Sequence, residues 1–454
     1  MKEMTLGEIC SVVNGRFLKP CDKNSKTEKL TTDTREIEKD SLFIPLKGDN
    51  FDGHDFIEQA FEKGALCCLS QNELEANGII ILVEDTRKAF RLLAMYYLTL
   101  FNVKVVGITG SVGKTTTKDM IASVLEEKYK VLKTQGNFNN EIGLPKTIFN
   151  LREDHEVVVL EMGMNSFGEI RRLSEIAKPD IAVITNVGVS HIENLGSREG
   201  ILQAKSEIFE YLKKDGVAVL NADNDMIATL HDKLDFKTFW FGVESKSDFY
   251  AENIAPKGLD GIKCTIVCKD EKTEVTIPVP GEHMVLNALS AAAVGKVLGL
   301  SMGQIKRGVE NFAPTAMRMA VIKTDFLTLI NDAYNANPVS MKAAIDVLCQ
   351  SKGRTVAIMG DMFELGDFAP SLHYEVGEYV GKSGISLSIC IGENGARIYD
   401  GVKENGGNTM YFKTQEEFLQ SNLKEIFTSG DTVLIKASRG MHFEKTAEKL
   451  QEVK

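Results

Sequence analysis

VKVVGITGSVGKTTTKDMIASVLEEKY, Val103 to Tyr129, decides how the rest of the chain reads. Its first seven residues form an apolar strand and its last sixteen read as a helix, with glycines at the turn between them. That context is the one a phosphate loop requires. Glycines let backbone N–H groups approach a polyphosphate, and the helix N-terminus adds partial positive charge. Lys114 can reach the β- and γ-phosphates, and the Thr115 hydroxyl can bind Mg²⁺. The candidate contacts are Thr109, Gly110, Ser111, Gly113, Lys114, Thr115 and Thr116. Position 108 is isoleucine where GxxxxGK[ST] wants glycine, so the spacing departs from the usual pattern. The competing reading is a glycine-rich strand–helix turn with an incidental lysine. The flanks favour a nucleoside triphosphate site.

Outward from this stretch, strands and helices alternate. VVVLEMG (Val157 to Gly163), IAVITNVG (Ile181 to Gly188) and VAVLNAD (Val217 to Asp223) are near-continuous apolar runs separated by helical segments. Such runs indicate a parallel sheet covered on both faces. Ile262 to Gly281 instead alternates around a charged turn, which predicts an antiparallel hairpin at the sheet edge. A second βα series follows FAPTAMRM (Phe312 to Met319), with strands ending near Asp332, Asp361, Gly392 and Ser438. The first 85 or so residues fit neither series. The expectation is an α/β protein of three domains, 1–85, 86–313 and 314–454: a central phosphate-loop parallel sheet follows the first, and the last is Rossmann-like. The length of 454 residues agrees with about three domains.

Composition narrows the partners. Against 64 Asp+Glu stand 53 Lys+Arg, a net charge of -11, which argues against bulk binding of nucleic acid or anionic membrane. The apolar run Phe90 to Phe101 contains an arginine and is too short to span a bilayer, and MKEMTLGEIC shows no secretory signal. Eight scattered cysteines without a CxxC pair read as reduced thiols in a cytoplasm. No membrane insertion is expected, and a monomer is.

In open α/β sheets ligands gather beyond the C-terminal strand ends. Glu161 ends one strand and His191 follows the next, so both belong on the edge that carries Lys114. Each alone reads as a turn acid or a loop histidine; together beside a nucleotide they suit Mg²⁺. Lys205 shares a helix face with Ile201, Ile208, Phe209 and Leu212. It either snorkels or stands as a desolvated amine able to form a carbamate with CO₂. Two asparagine-rich segments, QGNFNNEIGLPKT (Gln135 to Thr147) and NDAYNANPVSM (Asn331 to Met341), offer paired donors and acceptors at strand ends. Turn and cap chemistry is the competing explanation.

Across the whole chain, TGSVGKTTT, GNFNNEIGLP, LEMGMN, NVGVSHIENLGS, AKSEIF, LNADND, GEHMVLNALSAAAV, NDAYNANP, GDMFELG and KASRGMHFE occur in order. In this the sequence resembles the Mur ligases, ATP-dependent, ADP-forming amide-bond ligases of peptidoglycan synthesis. The form of NDAYNANP, and the absence of a DNPR motif, favour the branch that joins D-alanyl-D-alanine to UDP-N-acetylmuramoyl-tripeptide. The resemblance implies ATP and two Mg²⁺ ions, with Thr115, Glu161, His191 and a carbamylated Lys205 as metal ligands. It makes Lys114, His191 and Lys205 catalytic, and brings Asn287, Arg318 and Asp332 to the nucleotide. Substrate contacts would come from Thr34 and Arg35 in DTR, where the family commonly has DSR. KGDNFDGHDF would supply Lys47, Asp52 and His54, and the remaining contacts would be Asn137, Asn139, Asn140, Asn335, Asn337 and Arg439. The implied chemistry is attack of a carboxylate on the γ-phosphate, then capture of the acyl phosphate by an amine. A folylpolyglutamate synthase-like ligase, another Mur-type ligase and a non-catalytic nucleotide-binding module are the alternatives; the region before the phosphate loop and the set Lys114, Glu161, His191 and Lys205 speak against the first and the last.

Overall fold

The computed structural model describes residues 1–48, 51–245 and 247–453. Asp49 and Asn50 of KGDNFDGHDF lie outside the described residues.

The strand Lys104–Thr109 sits inside a nine-stranded sheet, flanked by Val157–Glu161 on one side and Ile181–Ile184 on the other. The chain first winds outward to Val131–Lys133, beyond Val157–Glu161. It then crosses to the other side and continues through Ile181–Ile184, Val217–Asn221, Lys237–Gly242 and Phe249–Pro256. The reversal of direction opens a crevice at the C-terminal end of Lys104–Thr109, where open α/β sheets bind ligands. The expected hairpin closes the far edge as antiparallel strands Ile262–Cys268 and Glu271–Ile277.

Alternation along these apolar strands sorts side chains into two cores. Val106, Ile108, Val157 and Val159 face one, with the helix His283–Val297. Val105, Val158 and Leu160 face the other, with Leu93 and Tyr97 of the helix Thr86–Thr99. That helix contains most of the apolar run near residue 95. The Tyr97 hydroxyl accepts from the backbone N–H of Lys2 and donates to the Leu151 carbonyl, so a buried polar tip is satisfied. The phosphate-loop helix Lys114–Leu125 packs closely against Met302–Glu310: a Cβ on Gly308 would collide with the Val124 backbone.

The C-terminal sheet has six strands in the order Ala320–Lys323, Leu327–Asn331, Asp431–Lys436, Thr355–Met359, Leu387–Ile391, Thr409–Phe412, all parallel except the first. The strand Asp431–Lys436 is last in the chain but enters beside Leu327–Asn331, bringing Lys436 next to Asp332. Here too alternate residues face opposite helical layers, Ala357 and Leu434 on one side, Ile358 and Ile435 on the other. A five-stranded mixed sheet built from residues 16–82 occupies the N-terminal part.

The helix that carries Lys205, expected to run through Leu212, ends earlier: Arg198–Ser206 is followed by a tight turn Glu207–Phe209. The Glu207 carboxylate accepts from the N–H groups of Gly168 and Arg171, and the Ile208 carbonyl accepts from Ser174 Oγ. Tertiary partners there replace the intrahelical bonds. Among the described residues no helix is long and apolar enough to cross a membrane.

Candidate active site

The phosphate loop is shaped by what lies under it. Gly113 takes a left-handed φ of 79° just before the first helical residue, a conformation that favours glycine. A Cβ on Gly110 would strike Thr185 Oγ1, because that hydroxyl donates to the Val112 carbonyl from the neighbouring strand end. Asn186 Oδ1 accepts from the Val112 N–H at 2.8 Å, and Ser111 Oγ accepts from the Gly188 N–H. The loop is held from below before any anion arrives. Thr185 and Asn186 escaped the motif reading, although both stand in the quoted IAVITNVG run.

Lys114 Nζ donates to the Gly110 carbonyl at 2.7 Å, folding back over the loop. Its amine is held below the usual lysine range: desolvation exceeds the attraction of Glu161, and Arg318 pushes the same way. Thr115 Oγ1 lies 2.7 Å from Glu161 Oε2. Asn139 Nδ2 donates to Glu161 Oε1 at 2.9 Å, and the Glu161 N–H is taken by Thr134 Oγ1. Glu161 is thus buried, oriented and paired. From beyond the central sheet, Arg318 Nη2 donates to Thr115 Oγ1 at 2.9 Å. The Arg318 guanidinium lies 3.9 Å over the Tyr334 ring, and its Nε is buried without a partner among the described residues.

Lys205 is 1% exposed. Burial, then the nearby Lys114 cation, lowers its pKa well below the lysine range. Snorkelling is therefore not how this lysine is accommodated; its amine is desolvated. His191, at φ 63°, places Nδ1 3.1 Å from Glu364 Oε2 on the C-terminal half. That hydrogen bond is the main cause holding the Glu364 carboxyl below its usual range. Glu364 was another omission; it lies in the quoted GDMFELG.

Apart from Gly110 and Lys205, these groups reach one cavity of about 770 Å³ between the central and C-terminal sheets. Its wall includes Ser111, Gly113, Lys114, Thr115, Thr116, Asn137, Asn139, Asn140, Glu161, His191, Asn287, Arg318, Asp332, Asn335, Asn337 and Arg439. Asn287 Oδ1 accepts from Thr117 Oγ1 at 3.0 Å. Asp332 Oδ1 takes the Met319 N–H, and Asp332 Oδ2 pairs with the buried Lys436, a strand-end lysine the motif reading passed over. Several asparagines are committed locally. Asn140 Oδ1 accepts from the N–H groups of Ile142 and Gly143, and Asn337 caps the helix Pro338–Cys349 through Ser340. Asn335 Oδ1 accepts from the Ala336 N–H, and Arg439 pairs with Glu444 at 3.2 Å.

The wall leaves out Thr109, Gly110 and Lys205, which stand behind it, and every N-terminal candidate. Thr34 begins a short turn in which the exposed Arg35 pairs with Asp33 at 2.6 Å, holding that carboxyl down to about 2. Lys47 and Asp52 form a separate group, with Asp52 Oδ1 2.6 Å from His54 Nδ1 and Arg87 donating to the Lys47 carbonyl.

Oxygen donors suit a hard divalent cation, and the buried Thr115 hydroxyl beside the Glu161 carboxylate is such a donor pair. The Lys205 amine, as found, is not a ligand; a carbamate would make it one.

A Mur ligase middle domain signature matches residues 108–295, a Mur ligase, glutamate ligase domain matches 317–439, and a Mur ligase family, catalytic domain matches 26–98. UDP-N-acetylmuramoyl-tripeptide--D-alanyl-D-alanine ligase of Bacillus subtilis (strain 168) is 41% identical over 459 residues, covering 100% of this chain and 99% of the relative. A MurF crystal structure from Acinetobacter baumannii superposes with a TM-score of 0.94 at 32% identity, covering 100% of this chain and 99% of that one. A MurF ligase from Thermotoga maritima in complex with ADP does so with a TM-score of 0.83 at 29% identity, over 93% and 97% of the two chains. Shared identity along the full length, and a cavity walled by the segments those signatures span, lead to one conclusion: the chain belongs to the Mur ligase family.

Proposed function

We propose that the protein is an ATP-dependent, ADP-forming ligase that joins D-alanyl-D-alanine to UDP-N-acetylmuramoyl-tripeptide for peptidoglycan synthesis. The observation that carries this reading is the contact of Arg318 with Thr115, which brings the C-terminal half onto the phosphate loop beside Glu161. A full-length relative of that name and the ADP held by the Thermotoga maritima neighbour support the substrates.

In this reading the terminal carboxylate of the tripeptide attacks the γ-phosphorus of ATP, and the bond to the β-phosphate oxygen breaks to release ADP. The dipeptide amine then adds to the acyl phosphate carbonyl, and the tetrahedral intermediate expels phosphate. Both the first nucleophile and its target are anionic, so cations must offset their repulsion. Lys114 and Arg318 supply fixed positive charge, and the backbone N–H groups of Gly113 and Lys114, at the start of the helix, would meet the phosphates, while those of Ser111 and Val112 are held by Asn186. Thr115 and Glu161 would hold one Mg²⁺, and His191 with a carbamylated Lys205 a second; bound there, the ions would neutralise phosphate oxygens. Asn287, Asp332 and Lys436 would contact the nucleotide. Asn137 and Asn139, which keep free capacity, would face the tripeptide end, with Asn140, Asn335, Asn337 and Arg439 shaping the wall. Thr34, Arg35, Lys47, Asp52 and His54 would anchor the uridine diphosphate away from the cavity. Contact of Glu364 with His191 across the cleft would keep water from the acyl phosphate. Eight free cysteines and nucleotide substrates fit an enzyme of the reducing cytoplasm.

Mass spectrometry of the product tests the reading. The nucleotide tripeptide should gain one D-alanyl-D-alanine with loss of water; an unchanged nucleotide peptide in the presence of ATP and Mg²⁺ would refute it.

A further inference from the structure

The segment that leaves the central unit, Phe312 to Met319, is attached to the phosphate-loop helix at two points in matching register. Thr315 Oγ1 donates to Asp119 Oδ2 at 2.6 Å, and three residues on, Arg318 Nη2 donates to Thr115 Oγ1 at 2.9 Å. Thr115 and Asp119 are four residues apart on the helix Lys114–Leu125 and so share one face. The Arg318 N–H donates to the Thr315 carbonyl, which closes the segment into a turn and fixes the spacing between its two side chains.

The first attachment is strong and pre-set. Asp119 is buried, with Lys118 Nζ at 3.3 Å and Lys133 Nζ at 3.0 Å from its Oδ1. Its second oxygen is left for Thr315, and a hydroxyl on a carboxylate at this distance is a charge-assisted bond. The second attachment needs help. Met317 and Met319, on either side of Arg318, both take left-handed φ, 62° and 53°, which costs an unbranched side chain energy unless neighbours impose it. The neighbours are the Tyr334 N–H, which donates to the Met317 carbonyl, and Asp332, which accepts from the Met319 N–H. The Tyr334 ring then lies under the guanidinium, with its centroid 3.9 Å from Arg318 Cζ.

We infer that Thr315 is a positioning residue for the phosphoryl-transfer step: its bond to Asp119 pins the interdomain turn so that Arg318 stands over the Thr115 hydroxyl at the nucleotide phosphates. Thr315 touches no substrate in this account and acts through Arg318 alone. The inference rests on the ATP-dependent ligase reading.

The test is a double-mutant cycle on the full-length enzyme, following ADP release and product formation. Thr315 is exposed, so Thr315→Val keeps the volume and the fold while removing the donor. It should lower kcat about tenfold, the factor expected for one charge-assisted bond, with the KM for the nucleotide tripeptide unchanged. Thr315→Ser, which restores the hydroxyl, should return most of kcat. In the Arg318→Ala background, Thr315→Val should cost less than twofold, because the residue it positions is gone. A full tenfold loss in that background, a wild-type kcat for Thr315→Val, or no recovery with serine would each overturn the inference. These outcomes leave wild-type turnover intact; absence of ligase product from the wild-type enzyme is the separate result that would defeat the functional reading, and this inference with it.

Discussion

Thr115 Oγ1 donates to Glu161 Oε2 across 2.7 Å, linking the first turn of the phosphate-loop helix to the end of the adjacent parallel strand. Neither residue is free to drift: Arg318 holds the hydroxyl, and Asn139 and Thr134 hold the glutamate. A hydroxyl and a carboxylate fixed this close would supply two of the six oxygens of a Mg²⁺ shell beside the phosphates. Glu161→Gln keeps the size and the Thr115 contact but removes the charge. It should lower kcat on the order of 100-fold and raise the Mg²⁺ concentration needed for half-maximal rate, read from ADP release across a Mg²⁺ titration. An unchanged Mg²⁺ dependence would show that the carboxylate serves only the fold.

Lys205 departs from ordinary lysine behaviour, an amine whose burial beside another cation holds its pKa well below the lysine range. Its carbamate would place an anion beside the Lys114 cation, an ion pair in place of a desolvated amine. Lys205→Ala should be inactive, and millimolar acetate or formate should restore part of the rate by filling the vacated space with a carboxylate. Full activity in the alanine variant would remove Lys205 from the mechanism.

Gly110 has no room for a side chain above Thr185. Gly110→Ala must displace either the loop backbone or the Thr185 hydroxyl that holds Val112. ADP affinity measured calorimetrically should fall by at least about tenfold, since the loop N–H groups lose their shared aim. The melting temperature should fall less than for a substitution within the strand.

His373 gives a pH-dependent prediction away from the nucleotide. Its Nδ1 lies 2.6 Å from the Ala369 carbonyl and its Nε2 accepts the Met362 N–H at 2.8 Å, so the fold requires the neutral ring. Desolvation lowers its pKa below 6.5, partly opposed by the Ala369 carbonyl and Asp361. With the folded value below the unfolded one, the unfolded chain binds more protons, and the histidine's contribution is lost as pH falls from about 6.5 through the folded value. His373→Leu should cost about 1–3 kcal/mol at pH 7.5, by stranding the Met362 N–H. The gap to wild type in denaturant unfolding should narrow by pH 5; a constant gap would contradict the assignment.

Much of the site was legible because strand ends are predictable places. Apolar runs announced the parallel strands, and the rule that ligands collect beyond their C-termini put Glu161 and His191 beside Lys114 without any contact being known. The groups that escaped are those whose role depends on tertiary position. Thr185 and Asn186 look like any strand-end polar pair until the sheet order sets them under the phosphate loop. Lys436 joins Asp332 only because the last strand of the chain is inserted next to Leu327–Asn331. Composition could not separate asparagines that bind from asparagines that cap, and hydrogen bonding now assigns Asn140 and Asn337 to caps. Nor could periodicity foresee that the helix carrying Lys205 would end at Ser206, where Glu207 turns to the N–H groups of Gly168 and Arg171.

The central claim, that this cavity couples ATP to amide formation between two specified substrates, is tested most directly by ADP release in a coupled assay with a panel of nucleotide peptides and dipeptides. Release should require UDP-N-acetylmuramoyl-tripeptide and D-alanyl-D-alanine together, and should disappear in Lys114→Ala. ADP released at the same rate without either substrate, or retained amide formation in Lys114→Ala, would contradict the account.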